Sequence, residues 1–509
     1  NMTGGVLYGA YERGYGLIDL IPEFPKEAPL ERRIVEHAVY ILSNPKEEEG
    51  RLKYSYYRLD NSSFLRKFTY LERGTGYDYS VLRVKFDRWL AFKAVEVGAM
   101  LSTESTCLDL IKKDKKIVGV LTNREELYGD LIIDASGVTS NLVEKAGLRG
   151  RLNVKDVYHG VKQVYSLEPK VIEERFKLKD RDGVAWFYFG DFMKGVKGGA
   201  FLYTNYDTIS LGIVVSLDSL LKKISKEPNE LGKPFELLEN LANHPLIYSY
   251  LEGAKLVEYS AHNIPKGYKC MLERPYTDGF LVIGDALGSF VKIGNLIDGM
   301  RRAIASGIMA AKTFIRAKKL GDFSIKTLSY YKELLHPIYR DIKLSKRDSR
   351  ISESNLAYNL FPKFILKFSK VYFSEKREFK LKDALQEIQA RTSLLDYFED
   401  KEYSHIKVNY DLALKSKDKL WIPTCPTNCY TLVLDKGVFA SFKDLYQFNL
   451  SKLKGKVKEA LRVTKEDIKR GEVRFDHVAC VACGTCGVIG PPDVILFSHE
   501  IDGHGVKYK

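Results

Sequence analysis

GFLVIGDA, residues 279–286, is the stretch that decides the fold, because it joins an apolar run of strand length to Gly284-Asp285-Ala286. A turn containing glycine and a long helix, predicted from about Gly299 to Lys318, follow it. An Asp at such a strand end can bind a sugar or ribityl hydroxyl. The N-terminus of the next helix can stabilise negative charge on a reduced flavin ring. On its own, the same pattern also fits an ordinary strand–turn–helix corner.

Other strand and helix signals surround this stretch. YGDLIID (128–134) reads as a strand and runs into Ala135-Ser136-Gly137, a second corner of the same kind. Residues 77–100 predict a strand followed by an amphipathic helix. Residues 155–216 contain short apolar runs, VAWFYFG and TISLGIVVS among them, separated by Gly and Asp. They predict a mostly antiparallel sheet that forms a second lobe.

Five of the seven cysteines lie in roughly the last hundred residues, and this clustering indicates a metal site rather than disulfides. The spacing Cys480-x-x-Cys483-x-x-Cys486 places three thiols on one tight loop. Bacterial ferredoxins use C-x2-C-x2-C-x3-C-P. Here Gly490-Pro491 replaces the last Cys-Pro, whereas Cys425-Pro426 keeps it upstream. We predict one 4Fe–4S cluster, with a four-thiolate zinc site as the alternative; its ligands are Cys425, Cys480, Cys483 and Cys486, with Cys429 competing for the fourth position.

Composition limits the classes of function. The 509 residues predict two to four domains, and 45% hydrophobic with 29% charged residues is ordinary for a globular protein. The formal net charge of +14 favours acidic partners, although a solubilising surface explains it as well. No motif that reads DNA or RNA is present, so a nucleic-acid partner is not expected. Neither a signal peptide nor a run of ~20 apolar residues is visible. Abundant Lys and Glu with scarce Gln lean toward a thermophilic source.

Beyond these local patterns, the sequence resembles the flavin-dependent electron-transfer-flavoprotein–quinone oxidoreductases and their nitrogen-fixation paralogues, within a group similar to geranylgeranyl reductases. The resemblance spans almost the whole chain, in the right order. It is carried by NMTGGVLYG (1–9), IPEFPKEAPLER (21–32), VLRVKFDRWLAFKA (81–94), DLIIDASGVTSNLVEKAGL (130–148), GGAFLYTNYDTISLGIVVS (198–216), IPKGYKCMLERPYTDGFLVIGDALGSF (264–290), GMRRAIASG (299–307), CPTNCY (425–430), CVACGTC (480–486) and GVKYK (505–509).

The resemblance implies a mixed α/β and α+β architecture in three parts: a Rossmann-like FAD-binding lobe, an antiparallel β-sheet substrate lobe and a C-terminal ferredoxin-like 4Fe–4S domain. The expected division is 1–155 for the first part of the FAD lobe, 156–265 for the sheet lobe, 266–345 for the return to the FAD lobe, 346–415 for a helical segment and 416–509 for the cluster domain.

The resemblance also implies FAD contacts at named positions. Arg83 and the segment with Asp134, Ala135 and Gly137 should lie near the dinucleotide, and Gly284-Asp285 near the ribityl or pyrophosphate. Gly294, Gly299 and Met300 should line the flavin ring, with Thr3, Gly4 and Gly5 on its other side. The family's opening strand and G-x-G-x-x-G turn, roughly 40 residues in all, do not occur in the sequence. We expect that piece to be missing or supplied by another polypeptide, which would impair FAD affinity.

The implied activity passes electrons from an electron-transfer flavoprotein to a membrane quinone; no catalytic acid or base stands out. Quinone lives in lipid, so we expect a cytoplasmic protein, peripheral on the inner face of the cell membrane. Residues 355–374, with Lys363, Lys367 and Lys370 among apolar side chains, suit an interfacial segment; a core helix with snorkelling lysines is the alternative. Two other functions stay open: a prenyl-lipid (geranylgeranyl) reductase, and an electron-transfer subunit of a bifurcating flavoprotein complex.

Overall fold

The structure, a computed structural model, describes most of the chain. It covers residues 5–59, 76–294, 296–376, 404–416, 419–453, 463–477 and 480–498, and the backbone of the strands Leu395–Phe398 and Gly505–Tyr508. The predicted flavin contacts Thr3 and Gly4 lie outside the described residues. Among the described helices, none combines the length and the apolar character that crossing a membrane requires.

An 11-stranded sheet is the largest element. In spatial order its main path runs through Val6–Tyr8, Asp78–Val81, Leu30–Leu42, Asp182–Gly190, Gly198–Thr204, Thr208–Ser216, Val157–Ser166 and Lys255–Pro265. Arg51–Leu59 branches from Leu30–Leu42 and pairs in turn with Lys46–Glu48 and Val371–Glu375. Only the pairing of Asp182–Gly190 with Leu30–Leu42 is parallel. The prediction of a mostly antiparallel sheet is confirmed, although strands from the first hundred residues also join it.

The two faces of this sheet have different neighbours. Val157–Ser166 and Thr208–Ser216 are buried almost throughout, because both of their faces are covered. One face packs on four helices, and alternate residues of the strands, such as Val161 and Ile213, belong to the main hydrophobic core there. The opposite face turns toward the smaller lobe. The helices on the first face are Leu217–Lys226, Phe235–Ala242, Pro245–Leu251 and Pro169–Phe176.

The smaller lobe contains the stretch GFLVIGDA. Its strand Phe280–Val282 lies parallel to Ile132–Asp134 and antiparallel to Tyr276–Thr277. The helix Met300–Leu320 follows and packs on the short helix Gly284–Leu287. Both predicted corners, after Ile132–Asp134 and after Phe280–Val282, are therefore turns that follow strands of this small sheet. The lobe is completed by the meander Cys107–Lys113, Lys116–Thr122 and Glu126–Tyr128, the hairpin Val291–Ile293 and Leu296–Asp298, and the helices Arg83–Glu96, Leu142–Lys145, Gly267–Cys270, Ile325–Leu328, Tyr330–Leu334 and His336–Ser352.

The stretch 346–415 was expected to be a helical segment, but it is not helical throughout. Helices Leu356–Leu360, of π type, and Phe361–Lys367 do occur. Val371–Glu375 is instead a strand, because its alternating side chains extend the sheet edge along Arg51–Leu59. Leu395–Phe398 is also a strand and pairs with Gly505–Tyr508. Near the N-terminus, Leu17–Leu20 and Phe24–Glu27 form short helices.

The cysteine-containing tail has its own small core around Trp421, Tyr430 and Val473. It is built from the helices Tyr410–Lys415, Trp421–Thr424, Phe442–Leu453, Lys465–Arg470 and Thr485–Ile489, the sheet Gly437–Phe439, Tyr430–Leu434 and Glu472–Phe475, and the pair Ile406–Val408 and Ile495–Phe497. The tail docks on the large sheet, where the Tyr259 hydroxyl donates to the Pro426 carbonyl at 3.0 Å. Its classification as ferredoxin-like stays a prediction.

Candidate functional site

A cavity of about 430 Å³ opens between the large sheet and the smaller lobe. This volume lies within the range of small-molecule and cofactor sites. Predicted flavin contacts from four distant parts of the sequence line it together: Gly5, Arg83, Ala135, Gly137, Gly284, Asp285, Gly299 and Met300. The fold therefore brings these motifs to one place, while their individual roles stay predictions.

Two of the predicted flavin contacts, Asp134 and Gly294, do not line the cavity. The Asp134 carboxylate accepts hydrogen bonds from the Ser136 amide at 2.9 Å and from the Ser136 and Ser140 hydroxyls at 2.5 Å. It therefore shapes the turn that presents Ala135 and Gly137 and does not itself line the cavity. Gly294 occupies the turn of the hairpin after Ile293 with φ of 55°, a conformation that favours glycine, and it also lies off the cavity wall.

Asp285 carries an unsatisfied oxygen at the cavity wall. Its Oδ1 is buried and has no hydrogen-bond partner among the described residues. Burial raises the pKa of Asp285 to about 6, against the lowering effect of Arg83 and with a further rise from Asp298. A hydroxyl group of a bound ligand would supply the missing donor. The Asp285 environment thus fits a sugar or ribityl hydroxyl.

The N-terminus of the helix Met300–Leu320 also meets the cavity, since Gly299 and Met300 line it. The first turn contains no acidic residue. The preceding Asp298 is neutralised by Arg301, 2.6 Å away, and by Arg302. Its charge is therefore balanced locally, and the 21-residue helix presents positive polarity to the cavity. A Cβ at Gly299 would stand 3.0 Å from the Phe290 ring, so a side chain there would crowd this end.

Arg83 is held in place before any ligand arrives. Its Nε and Nη2 atoms donate to the two carboxylate oxygens of Asp87 at 2.6 and 2.7 Å, a bidentate pair one helical turn apart. The pair stands at the start of the helix Arg83–Glu96, and both residues line the cavity. This arrangement fixes a guanidinium where an anionic ligand group can meet it.

The cysteines form a second candidate site. All four predicted ligands and Cys429 are buried and line one small cavity of about 20 Å³. The Cys429 thiol is within hydrogen-bonding reach of both Cys425 and Cys480. Among the described residues, no group of three or more His, Cys, Asp or Glu side chains is arranged to hold a single metal ion. 4Fe–4S binding at these cysteines stays a prediction.

Two features of the cysteine cavity fit an anionic iron–sulfur group. Backbone amides point at sulfur: the Cys429 amide donates to Cys425 Sγ at 3.2 Å, and the Ala482 amide to Cys480 Sγ at 3.3 Å. Such bonds stabilise thiolates. The buried ammonium of Lys233 stands within electrostatic range of Cys425 and Cys429. Thiolates at these cysteines would add negative charge beside that cation.

Comparison with known proteins identifies the relatives of the chain. Over 376 residues it is 35% identical to protein FixC of Escherichia coli K12, a match that covers 74% of this chain and 82% of FixC. The chain belongs to the FixC family. The chain is also 32% identical over 370 residues to the probable electron transfer flavoprotein-quinone oxidoreductase YdiS of Escherichia coli K12, a match that covers 72% of this chain and 80% of YdiS. The predicted resemblance is therefore confirmed.

The likeness to solved structures is weaker than the sequence likeness to FixC. A geranylgeranyl bacteriochlorophyll reductase-like protein from Thermoplasma acidophilum is 18% identical, with a TM-score of 0.49 over 71% of this chain and 80% of that one. No protein-family model matches the chain.

The apolar end of the cavity in this FixC-family chain was missed by sequence reasoning. Phe187, Phe201 and Ile297 line it. The same three residues pack with Phe361 and Ile365 in one hydrophobic cluster, so the helix Phe361–Lys367 covers that end of the cavity. The alternation in VAWFYFG could have suggested an inward aromatic face, but not which cavity that face lines.

The outer surface of this covering segment is apolar as well. Leu356, Leu360, Phe364 and Phe368 recur every four residues, and each is more than half exposed. Spacing of four residues places them on one stripe. The stripe lies in the predicted interfacial segment 355–374, among the lysines noted above. The alternative of a core helix is therefore wrong for its outer face, because these side chains point away from the core.

Proposed function

We propose that this chain is an oxidoreductase that uses FAD and one 4Fe–4S cluster to pass electrons from an electron-transfer flavoprotein to a membrane quinone. The observation that supports this most is the convergence, on one cavity, of Arg83, the turn after Asp134, Asp285 and the helix start at Met300. Membership of the FixC family, with YdiS as a relative, supports the same electron-transfer chemistry.

The residues around the cavity fit FAD. Asp285 Oδ1 offers an acceptor for a ribityl hydroxyl, and Arg83 offers a cation for the pyrophosphate. The helix start at Met300 favours negative charge where a reduced flavin would need it. When bound, FAD supplies the exchange between one-electron and two-electron carriers. The protein positions it and excludes water through the aromatic wall of the sheet.

The tail residues fit a cluster that moves one electron at a time. Cys425, Cys480, Cys483 and Cys486 would hold it, and two backbone amides would stabilise their sulfurs. The cysteine loop touches the sheet from the face opposite the flavin cavity, because the Thr485 hydroxyl lies 3.0 Å from the side chains of both His159 and Asn263. Next to Asn263, His262 lines the flavin cavity. One layer of sheet therefore separates the two candidate sites.

Quinone access is supported by the covering segment. The inner side of Phe361–Lys367 packs with residues that line the apolar end of the cavity, while its outer stripe is exposed. An apolar stripe flanked by Lys363, Lys367 and Lys370 suits a membrane surface with anionic headgroups. A quinone could enter from lipid at this end. We therefore propose that the chain lies on a membrane face, on the cytoplasmic side.

An electron-transfer flavoprotein would be the donor, and the formal net charge of +14 favours docking of an acidic protein. The direct test mixes the anaerobically purified full chain with a reduced electron-transfer flavoprotein and a soluble quinone analogue. Flavoprotein oxidation that requires both chain and quinone is expected. Oxidation that proceeds equally without the quinone would contradict the proposed acceptor.

A further inference from the structure

Lys233 reaches from the sheet lobe into the cysteine tail. It lies just before the helix Phe235–Ala242 and is 4% exposed. Its Nζ donates to the carbonyl of Ile422, 2.8 Å away and 189 positions later in the chain. Ile422 belongs to the short helix that ends at the Cys425 cap. The ammonium therefore sits beside the loop that carries one of the predicted cluster ligands.

No carboxylate forms an ion pair with Lys233 in the described part of the chain. Glu236, on the following helix turn, is paired with Lys443 at 3.1 Å. The groups that favour the charged form of Lys233 are, in order, Cys425, Asp444, Cys429 and Glu236, while burial lowers its pKa to about 8. A buried cation needs negative charge nearby. Cys425 makes the largest of these contributions, so a thiolate at Cys425 would supply that charge.

We infer that Lys233 is a fixed positive charge that raises the reduction potential of an iron–sulfur cluster held by Cys425, Cys480, Cys483 and Cys486. The inference rests on the proposed function, because it requires a cluster at these cysteines. Reduction adds one electron, and hence one negative charge, to the cluster. A buried ammonium stabilises the reduced cluster more than the oxidised cluster, because the reduced cluster carries the added negative charge. Lys233 therefore acts on the cluster through its charge and not as a ligand. It belongs to the sheet lobe on which the tail docks.

Lys419 provides a matched control in the same tail. It is also fully buried, and burial lowers its pKa to about 8. Its Nζ donates only to carbonyls, those of Leu414 at 2.9 Å, Ser416 at 2.8 Å and Lys469 at 3.4 Å. No cysteine contributes to its pKa shift. Neutralising Lys419 removes a buried ammonium of the same kind without removing charge from the cysteine site.

The test compares Lys233→Gln and Lys419→Gln in the full, anaerobically purified chain by redox titration followed with EPR. Gln keeps a hydrogen-bond donor for the Ile422 carbonyl. We expect Lys233→Gln to disfavour cluster reduction at least tenfold, a potential about 59 mV more negative for one electron, with Lys419→Gln unchanged. If Lys233→Gln loses iron, Lys233→Arg, which keeps the charge, should retain both the iron and the wild-type potential.

Three results would overturn the inference. An unchanged potential in an iron-loaded Lys233→Gln variant removes the role of the charge. An equal shift in Lys419→Gln shows a general effect of losing a buried lysine. Loss of iron in Lys233→Arg as well as in Lys233→Gln would show that Lys233 is needed for folding of the cysteine site and not for its reduction potential. Failure of the proposed function itself looks different, because the wild-type chain would then contain no iron–sulfur signal at all.

Discussion

The Thr485 hydroxyl oxygen lies 3.0 Å from Nδ1 of His159, joining the cysteine loop to the central sheet. The same hydroxyl lies 3.0 Å from Oδ1 of Asn263 and 3.3 Å from Cys483 Sγ. His159 and Asn263 are opposite each other in neighbouring strands. Since side chains alternate along a strand, the next residues, Gly160 and His262, face the flavin cavity instead. This polar contact holds the cysteine-containing tail against the sheet whose opposite face lines the flavin cavity.

Replacing Thr485 should loosen the tail. Thr485→Val leaves the buried His159 and Asn263 side chains without this hydroxyl, and such a loss costs about 1–3 kcal/mol. Hydrogen exchange followed by mass spectrometry should show faster exchange in the strands Val157–Ser166 and Lys255–Pro265. Thr485→Ser keeps the hydroxyl and should exchange like the wild type. Equal exchange in the Val and Ser variants would show that the hydroxyl does not anchor the tail.

Asp285 should make the ligand-free chain less stable at neutral pH. Burial raises its pKa from 3.8 to about 6, so the folded state binds its proton more tightly than the unfolded state does. Stability therefore falls as pH rises from about 4 to about 6. Asp285→Asn should stabilise the ligand-free chain at pH 7.5 by up to about 3 kcal/mol, and by only about 1 kcal/mol near pH 4.5.

The measurement for Asp285 is urea unfolding at the two pH values. Asp130→Asn is the matched control, because Asp130 is exposed and its pKa is lowered by Lys318, its partner at 2.6 Å. That variant should lose a little stability at pH 7.5 rather than gain it. A stabilisation by Asp285→Asn that is the same at both pH values would disprove the buried-carboxylate explanation.

Local sequence patterns predicted much of the candidate flavin site, because strands, helices and turns each leave a short-range pattern in the sequence. Strand and helix periodicity, with the turn residues, located the corners at Asp134 and Asp285 and the helix start at Gly299. The resemblance added Arg83 and Gly5. Lys233 and His159 could not be found in this way, because their partners lie 189 and 326 positions away in the chain. A contact of that range leaves no periodic trace. Likewise, the strand Val371–Glu375 exists because a sheet edge is available to it.

The membrane segment should depend on both charge and apolar surface. Reversing Lys363, Lys367 and Lys370 to Glu should weaken the affinity for anionic liposomes, measured by co-sedimentation, by at least about a hundredfold, since each of the three cations near such a surface contributes about 1 kcal/mol. Reversing the exposed Lys170, Lys177 and Lys179, on the other side of the large sheet, is the control and should have little effect. Unchanged binding of the first variant, or equal loss in both, would remove the proposed membrane face.

The fourth cluster ligand can be assigned by substitution. Cys425→Ser should lower the bound iron strongly, as should Cys483→Ser, because each removes a predicted ligand. Cys429→Ser should keep the iron, although Cys429 lines the same cavity. Iron analysis and absorbance of anaerobic preparations distinguish the cases. Iron retained in Cys425→Ser but lost in Cys429→Ser would show that Cys429, and not Cys425, is the fourth ligand.

The central claim is that one chain holds a flavin and an iron–sulfur cluster on opposite faces of the same sheet. EPR and absorbance spectra of the anaerobically purified full chain, with iron and sulfide analysis, test it most directly. We expect flavin absorbance, a cluster signal on reduction, and about four iron and about four sulfide per chain. A preparation with zinc in place of iron, or with neither metal at the cysteines, would contradict it.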